Sequence, residues 1–279
     1  MTAAFRFLLR SGRGRVGLVI VGAFVVIGLF GRWLAPYDPN YVDAEVILAG
    51  PSASHPFGLD QFGRDVLSRI LISALPMLRI TAAAVLGGAI VGTTLGVCAS
   101  FFGGRLDSFV MRLLDIVLAF PVIIMGILII AYFGVGERNV AIALAIAFVP
   151  GFARVARAAT LVVMHQPYVL AARAIGDGTA AILGRQILPN IMPVLLVQAS
   201  LSCAYAILGE AALSFLGLSI QPPDASWGRM LAEGRDFLST ASHMATVPGL
   251  MITIVVIGFN LVGDGLRDFL DPRMREKLL

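Results

Sequence analysis

Long apolar stretches alternate along this chain with shorter segments that are rich in charge, proline and glycine. A helix that crosses a bilayer needs about 20 mostly apolar residues, and six stretches meet that requirement. They cover residues 16–34, 80–102, 111–133, 139–158, 191–218 and 247–266. The pattern therefore predicts an all-helical membrane protein with six transmembrane helices, five of which form a core over residues 80–266.

The segments between these spans differ greatly in length. Residues 35–79 and 219–246 form long loops on one side of the membrane, and 159–190 form a long loop on the other. The loop 159–190 is rich in alanine and leucine, which favour helix. It is interrupted at Gly176-Asp177-Gly178, and Pro189 is expected to end it. We therefore predict two short helices at the membrane face.

The positions of the basic residues predict the orientation of the chain. With the N-terminus in the cytoplasm, the segments 1–15, 159–190 and 267–279 and the short turn after residue 102 lie inside. Fourteen arginine and lysine residues then lie inside, counting Arg112, Arg154 and Arg157 at the inner ends of their spans, and five lie outside. Arg32 and Arg79 at the span edges are left uncounted. Because basic residues accumulate in cytoplasmic segments, both termini are predicted to be cytoplasmic.

Composition supports the membrane assignment and narrows the function. Apolar residues make up 58% of the chain and charged residues 14%, whereas soluble domains carry about 25% charged residues. The sequence has no long block of basic residues, which argues against a nucleic-acid partner. Cys98 and Cys203 both lie in apolar stretches, where packing is expected rather than a disulfide.

Three glycines recur every fourth residue in the second span, at Gly88, Gly92 and Gly96. This spacing places three missing side chains on one helix face and lets another helix approach closely. The alternative is a surface that lines a pore. Packing is the more usual role of such a face.

The sequence also argues against several kinds of catalysis. Its one lysine, Lys277, follows Glu276 and is not part of a phosphate-binding loop, so any ATP must be bound by a partner. Asp264 has no second carboxylate in a matching span context, as an aspartyl protease requires. His55, His165 and His243 are isolated, and no zinc-protease pattern occurs. We therefore expect no enzyme activity, no bound metal and no cofactor in this chain.

Glu210 is the one acid well inside a predicted span, and such a group is a functional candidate by default. Two roles remain open: polarity along a translocation pathway, or a hydrogen bond to a neighbouring helix. Ser214 lies one turn further along the same span. That placement slightly favours a polar helix face along the pathway, made by Glu210 and Ser214.

The outer segment 219–246 carries its own helical signal. Pro222-Pro223 should enforce an extended entry, and Trp227 has the amphipathic ring that membrane interfaces favour. A short helix could draw an apolar face from Met230, Leu231, Phe237 and Leu238. We predict that this helix lies at the outer surface near the mouth of the pathway, the alternative being a solvated loop.

The long inner loop carries a specific motif. Residues 168–176 read YVLAARAIG, and after nine further residues the chain reads QILPN at 186–190. This resembles the EAA loop of permeases of binding-protein-dependent ABC importers, in which two alanines, a glycine, a leucine and a proline stand at these spacings. Leu170 stands where the family usually has glutamate, and Gln186 stands where isoleucine is usual.

Three other stretches are similar to the peptide and nickel permeases, in particular the C-type subunit of dipeptide and oligopeptide systems. They are HPFGLDQFGRDVLSR at 55–69, GEAALSFLGL at 209–218 with Pro222-Pro223 and SWG at 226–228, and NLVGDGLRD at 260–268 with LDPR at 270–273. Together with the inner loop they extend over most of the chain.

The resemblance implies a type I ABC importer permease in the bacterial inner membrane. The implied partners are a second, similar permease, two cytoplasmic ATPase subunits that bind ATP and Mg, an extracytoplasmic substrate-binding protein and membrane lipid. The implied cargo is a dipeptide or oligopeptide, with nickel or another peptide-like solute as the alternative. A secondary transporter or channel and an intramembrane enzyme are the competing classes. The residues that the resemblance assigns to ATPase coupling are Ala171, Ala172, Gly176, Leu188 and Pro189.

Overall fold

The structure is a computed structural model that describes residues 7–9, 11–43 and 45–270. Nine helices and no strand occur over residues 11–43 and 45–270, and residues 7–9 are also helical, so the predicted all-helical class is confirmed. The nine helices are α1 Gly12–Leu34, α2 Val66–Phe102, α3 Gly104–Leu118, α4 Val122–Phe133, α5 Glu137–Val163, α6 Pro167–Ala174, α7 Thr179–Phe215, α8 Trp227–Arg235 and α9 His243–Leu270. The predicted terminal segments 1–15 and 267–279 lie partly outside the described residues.

Five of these helices are long and apolar enough to cross a membrane, namely α1, α2, α5, α7 and α9. The pair α3 and α4 passes the same test together and supplies the sixth span if it is counted as one. The helices α2 and α5 pack along each other, and α9 packs between α1 and α7.

The glycine stripe of α2 packs against α5. A Cβ atom added at Gly96 would lie 2.1 Å from the carbonyl oxygen of Ala153, and one at Gly92 would lie 2.4 Å from that of Val149. Side chains at these positions would therefore overlap the backbone of α5. Of the two roles that the sequence left open, the structure shows helix packing.

The prediction that residues 35–79 form one loop is wrong, because α2 begins at Val66. Asp65 caps this helix by accepting a hydrogen bond from the backbone N–H of Ser68 at 2.8 Å. Arg69 falls within the predicted loop, but it lies on α2 with its side chain buried and 3.7 Å from Asp60. Pro76 lies inside the helix. The charge of Arg69 and the proline at 76 are therefore both accommodated within about four helical turns that precede the predicted span.

The predicted span 111–133 is also not one straight helix. It is broken after Leu118, and α3 and α4 meet at an angle of 86°. Pro121 precedes the first turn of α4, and a proline at this position favours the end of the preceding helix. The polar side of α3 is attached to α5, where Arg157 Nε donates to Asp107 at 2.6 Å and Arg154 pairs with Asp115 at 2.5 Å.

The second half of the loop 159–190 differs from the prediction as well. The first short helix is α6, but the second continues without a break into the fifth span as α7. Pro189 does not end the segment. Residues 182–187 are π-helical, and this wider turn immediately before Pro189 alters the hydrogen bonding at the point where proline cannot donate.

Candidate functional site

The segment 159–190 contains a compact helical hairpin whose turn depends on Gly176. Gly176 has φ +86°, a conformation that L side chains rarely adopt. Its N–H donates to the carbonyl of Arg173 at 3.1 Å, and the N–H of Asp177 donates to that of Ala172 at 3.0 Å. This pair of bonds is a Schellman ending, which satisfies the last carbonyls of α6. The sequence break at 176–178 is thus a defined turn.

One side of α6 is attached to the spans. Val169 and Ala172 are buried in a cluster with residues of α2, α5 and α7, among them Phe152 of α5 and Ile187 of α7. Arg173 turns back so that its guanidinium lies 5.2 Å from the centre of the Phe101 ring at the end of α2. Motion of α6 must therefore displace the ends of three spanning helices.

The other side of α6 is exposed and apolar. Leu170 is 51% exposed and Ile175 is 80% exposed, and Tyr168 is also exposed. Such residues on a short helix mark a contact surface. We call Tyr168, Leu170, Ala171 and Ile175 the coupling face.

The structure divides the predicted coupling residues between two environments. Ala171 is exposed on the coupling face, whereas Ala172 is buried against the spans. Gly176 makes the turn, and Pro189 is exposed on the first α-helical turn after the π-helical segment. Leu188 is half-buried against the same apolar cluster as Ala172. Ala171 is thus the alanine of the motif that a partner can reach directly.

Glu210 lies near the other end of α7, about 30 Å from Pro189 along the helix axis. Its carboxylate is 0% exposed within the chain, and its Oε1 accepts a hydrogen bond from Ser219 Oγ at 3.0 Å. Oε2 has no hydrogen-bond partner in the described part of the chain. Glu210 therefore fixes the turn that follows α7 to the helix itself.

Ser214 lies on the same buried side of α7 as Glu210. Its hydroxyl is hydrogen-bonded to that of Ser226, the residue that caps α8. The backbones of α7 and α8 also approach closely at Gly228. A Cβ atom added there would lie 2.2 Å from the carbonyl oxygen of Ala211. Glu210 and Ser214 thus lie on one side of α7, as predicted, but both form hydrogen bonds to the segment 219–228. This burial favours a hydrogen-bonding role for Glu210 inside the protein, but its partner Ser219 lies in the turn after α7 and not on a neighbouring helix.

Trp227 is buried inside the protein, whereas its amphipathic ring suggested a position exposed to a membrane interface. Its side chain is 0% exposed and packs in a core cluster beside Phe24 of α1. Its Nε1–H donates to the carbonyl oxygen of Ile70 at 3.0 Å. A buried indole needs a partner for its N–H, and α2 supplies one because it extends to Val66. The helix α8 was expected within 219–246, and its Met230 is buried in the same cluster.

Sequence reasoning missed a charged cluster beside α8. Asp60 accepts from Arg64 Nε at 2.7 Å, and Glu233 accepts from Arg229 Nε at 2.9 Å. Arg64 also lies 3.7 Å from Glu233. These contacts attach the segment before α2 to α8. The motif at 55–69 was the available signal, since it places two acids and two arginines within ten residues of one another.

Comparison with known proteins identifies the family. The model of the binding-protein-dependent transport system inner membrane component matches residues 88–276. The N-terminal TM domain of oligopeptide transport permease C matches residues 2–51. The two matches cover most of the chain.

Individual relatives are similar over almost their full length. The dipeptide transport system permease protein DppC of Alkalihalophilus pseudofirmus is 41% identical over 272 residues, which are 98% of this chain and 90% of the relative. The glutathione transport system permease protein GsiD of Escherichia coli O6:K15:H31 is 42% identical over 267 residues, 95% of this chain and 88% of the relative.

Solved structures agree on the fold. A chain of the inward-facing MetNI methionine ABC transporter matches with a TM-score of 0.59 at 18% identity, covering 74% of this chain and 94% of that one. Its second crystal form gives a TM-score of 0.56. The chain therefore belongs to the binding-protein-dependent ABC importer permeases of the bacterial inner membrane, in their C-type branch.

Proposed function

We propose that this chain forms half of the translocation pathway of an ATP-driven importer of dipeptides or oligopeptides. The proposed partners are a second permease, two cytoplasmic ATPase subunits that hold ATP and Mg, and an extracytoplasmic binding protein that delivers the peptide. Two relatives support the peptide class, one a dipeptide permease and the other a permease for glutathione, which is peptide-like. Nickel or another peptide-like solute is the second candidate cargo.

The observation that carries the proposal is the two-sided construction of α6. Val169 and Ala172 on its buried side pack in one cluster with residues of α2, α5 and α7, and the exposed Arg173 lies against Phe101 of α2. Its coupling face is exposed in this chain. A helix built in this way can receive a displacement from a partner and pass it to three spans. ATP-driven closure of an ATPase pair supplies such a displacement, which biases the pathway between two states.

The coupling face also indicates the chemistry of the contact. Leu170 and Ile175 are its most exposed aliphatic side chains, and the basic group of α6, Arg173, is held against Phe101. We propose that the ATPase meets this face mainly with apolar side chains. Leu170 occupies the place of the usual glutamate, so the contact at that position is apolar rather than ionic.

We further propose that Glu210 and Ser214 do not line the pathway but support it by holding the segment after α7 in place. They fix the turn after α7 and the start of α8. A direct role in lining the pathway, which the sequence favoured, requires that these buried groups become exposed in another state. Substitution of Glu210 by glutamine separates the two roles.

The proposal is tested with a complex purified through a tag on this chain and reconstituted in proteoliposomes with the binding protein. We expect ATP-dependent accumulation of labelled dipeptide, lost when the ATPase is catalytically inactive. Gly176→Val should abolish uptake and ATPase retention while the chain still inserts, because φ +86° is strained for valine.

Gly178→Val is the matched control, since Gly178 has φ −67° and nothing lies within 4 Å of an added Cβ. It should transport normally. Accumulation without ATP, or normal transport and ATPase retention in Gly176→Val, would contradict the proposal.

A further inference from the structure

A cleft of about 680 Å³ opens beside the end of α1, and the proposed import mechanism does not use it. It lies between the last turns of α1, the first turns of α2 and the loop that joins them. Its lining includes the aliphatic side chains of Leu29, Ile72 and Leu75. It also includes three charged side chains, those of Arg32, Asp38 and Asp224.

The walls of the cleft are fixed by specific contacts. At the base, α1 and α2 approach so closely that a Cβ atom at Gly31 would lie 2.2 Å from the carbonyl oxygen of Leu71. On the loop, the N–H of Tyr37 donates to Ser68 Oγ at 3.1 Å, and Arg69 donates to the carbonyl of Pro39 at 3.0 Å. The cleft is therefore a built feature of the fold.

Its charged groups are unpaired within the described part of the chain. The exposed side chains of Arg32, Asp38 and Asp224 form no ion pair there, and the carboxylate of Asp38 accepts one hydrogen bond, from the N–H of Asn40 at 2.9 Å. The three residues come from α1, the following loop and the segment before α8. One guanidinium and two carboxylates in one cleft match a ligand that carries both an anionic and a cationic group.

The position of the cleft along the spanning helix α1 favours a lipid as that ligand. It begins at the last turns of an apolar spanning helix. Trp33 on that turn is 76% exposed, and exposed tryptophan is typical of the level of the headgroups. Leu29 is both in the lining and exposed at the outside, so the aliphatic wall continues into the region where acyl chains lie.

We propose that this cleft binds a phospholipid whose zwitterionic headgroup carries a primary amine. The phosphate lies at Arg32, the ammonium group donates hydrogen bonds to Asp38 and Asp224, and the acyl chains follow Leu29, Ile72 and Leu75. A glycerol headgroup lacks the cation, and a choline headgroup lacks N–H donors for the carboxylates. The site therefore selects phosphatidylethanolamine over both.

The selectivity is tested with the assembled complex in mixed micelles that contain equal amounts of phosphatidylethanolamine, phosphatidylcholine and phosphatidylglycerol. Lipid retained after detergent washing is identified and counted by mass spectrometry. We expect phosphatidylethanolamine to be enriched several-fold over the other two in the wild-type complex. This measurement needs no substitution, so it stands even where a variant does not assemble.

The site is tested with Arg32→Gln and Asp224→Asn. Each should reduce the enrichment to the level of the mixture, while Arg138→Gln, an exposed arginine at the start of α5 outside the cleft, should leave it unchanged. No enrichment in the wild type, enrichment in both cleft variants as high as in the wild type, or selective retention of phosphatidylglycerol would overturn the proposal. Displacement of the lipid by millimolar dipeptide would likewise overturn it, in favour of a peptide site.

Discussion

The indole Nε1 of Trp227 lies 3.0 Å from the carbonyl oxygen of Ile70, a residue 157 positions earlier in the chain. This hydrogen bond joins α8 to the first turns of α2, and the same indole ring packs on Phe24 of α1 with the ring centres 5.7 Å apart. The short helix α8 is thereby packed into the helical bundle. Trp227 therefore contacts both α1 and α2 from α8.

Replacement of Trp227 tests this integration. Trp227→Ala removes a buried aromatic side chain, a change that costs about 3–5 kcal/mol in protein cores. Trp227→Phe keeps most of the ring but loses the bond to Ile70, which costs about 1 kcal/mol. Thermal denaturation of the complex should therefore rank wild type above Trp227→Phe and that above Trp227→Ala. Trp33→Ala, which alters the exposed tryptophan, should match the wild type, and equal stability of all four proteins would contradict the burial.

The packing of α2 on α5 depends on the absence of side chains. Gly96→Val should prevent the two helices from closing, because its Cβ would lie 2.1 Å from the backbone of Ala153. We expect the variant to reach the membrane but to be degraded or to unfold at a lower temperature. Gly22→Val on α1 is the control, since nothing lies within 4 Å of its added Cβ. A stable Gly96→Val complex with altered selectivity would support the pore-lining alternative.

The two alanines of the coupling motif should respond differently to enlargement. Ala172→Leu overfills the cluster around Phe152 and should lower stability by about 1–3 kcal/mol. Ala171→Leu adds volume on the exposed coupling face and should leave stability unchanged but weaken retention of the ATPase. The two readouts are thermal denaturation and the ratio of ATPase to permease after purification. Identical behaviour of the two variants would contradict the assignment of opposite sides.

Glu210→Gln separates the two roles of this buried acid. The amide oxygen of glutamine can accept the hydrogen bond from Ser219, so an internal role predicts normal assembly, ATP hydrolysis and uptake. Glu210→Leu removes that acceptor and should destabilise the turn after α7. Uptake is measured at limiting peptide concentration. Normal assembly with slowed uptake in Glu210→Gln would show that the negative charge itself serves the pathway.

Much of the architecture can be predicted from the sequence, because a bilayer demands runs of apolar residues whose length is fixed by its thickness. The turn at Gly176 is predictable for a similar reason, since a local backbone conformation selects glycine. These signals are local, and each is contained in fewer than about 25 residues.

What the sequence does not reveal depends on contacts that only the folded chain makes. Arg69 falls in the same predicted loop as Asp60, and the contact between the two at the start of α2 forms only in the folded chain. Trp227 appeared to be interfacial because the acceptor of its hydrogen bond lies on α2. Glu210 appeared to face a pathway because Ser219, which covers it, follows the end of its helix. In each case, tertiary contacts reverse a preference that composition alone suggests.

Cross-linking from the coupling face tests the central claim most directly. Ile175→Cys is introduced after Cys98 and Cys203 are replaced by alanine, and the assembled complex is treated with a short thiol-to-amine cross-linker. We predict a covalent product between this chain and the ATPase, with a yield that changes when ATP is bound, and no such product from Arg138→Cys near the other end of the bundle. A complex in which Ile175→Cys does not react with the ATPase, or in which Arg138→Cys does, would contradict the account.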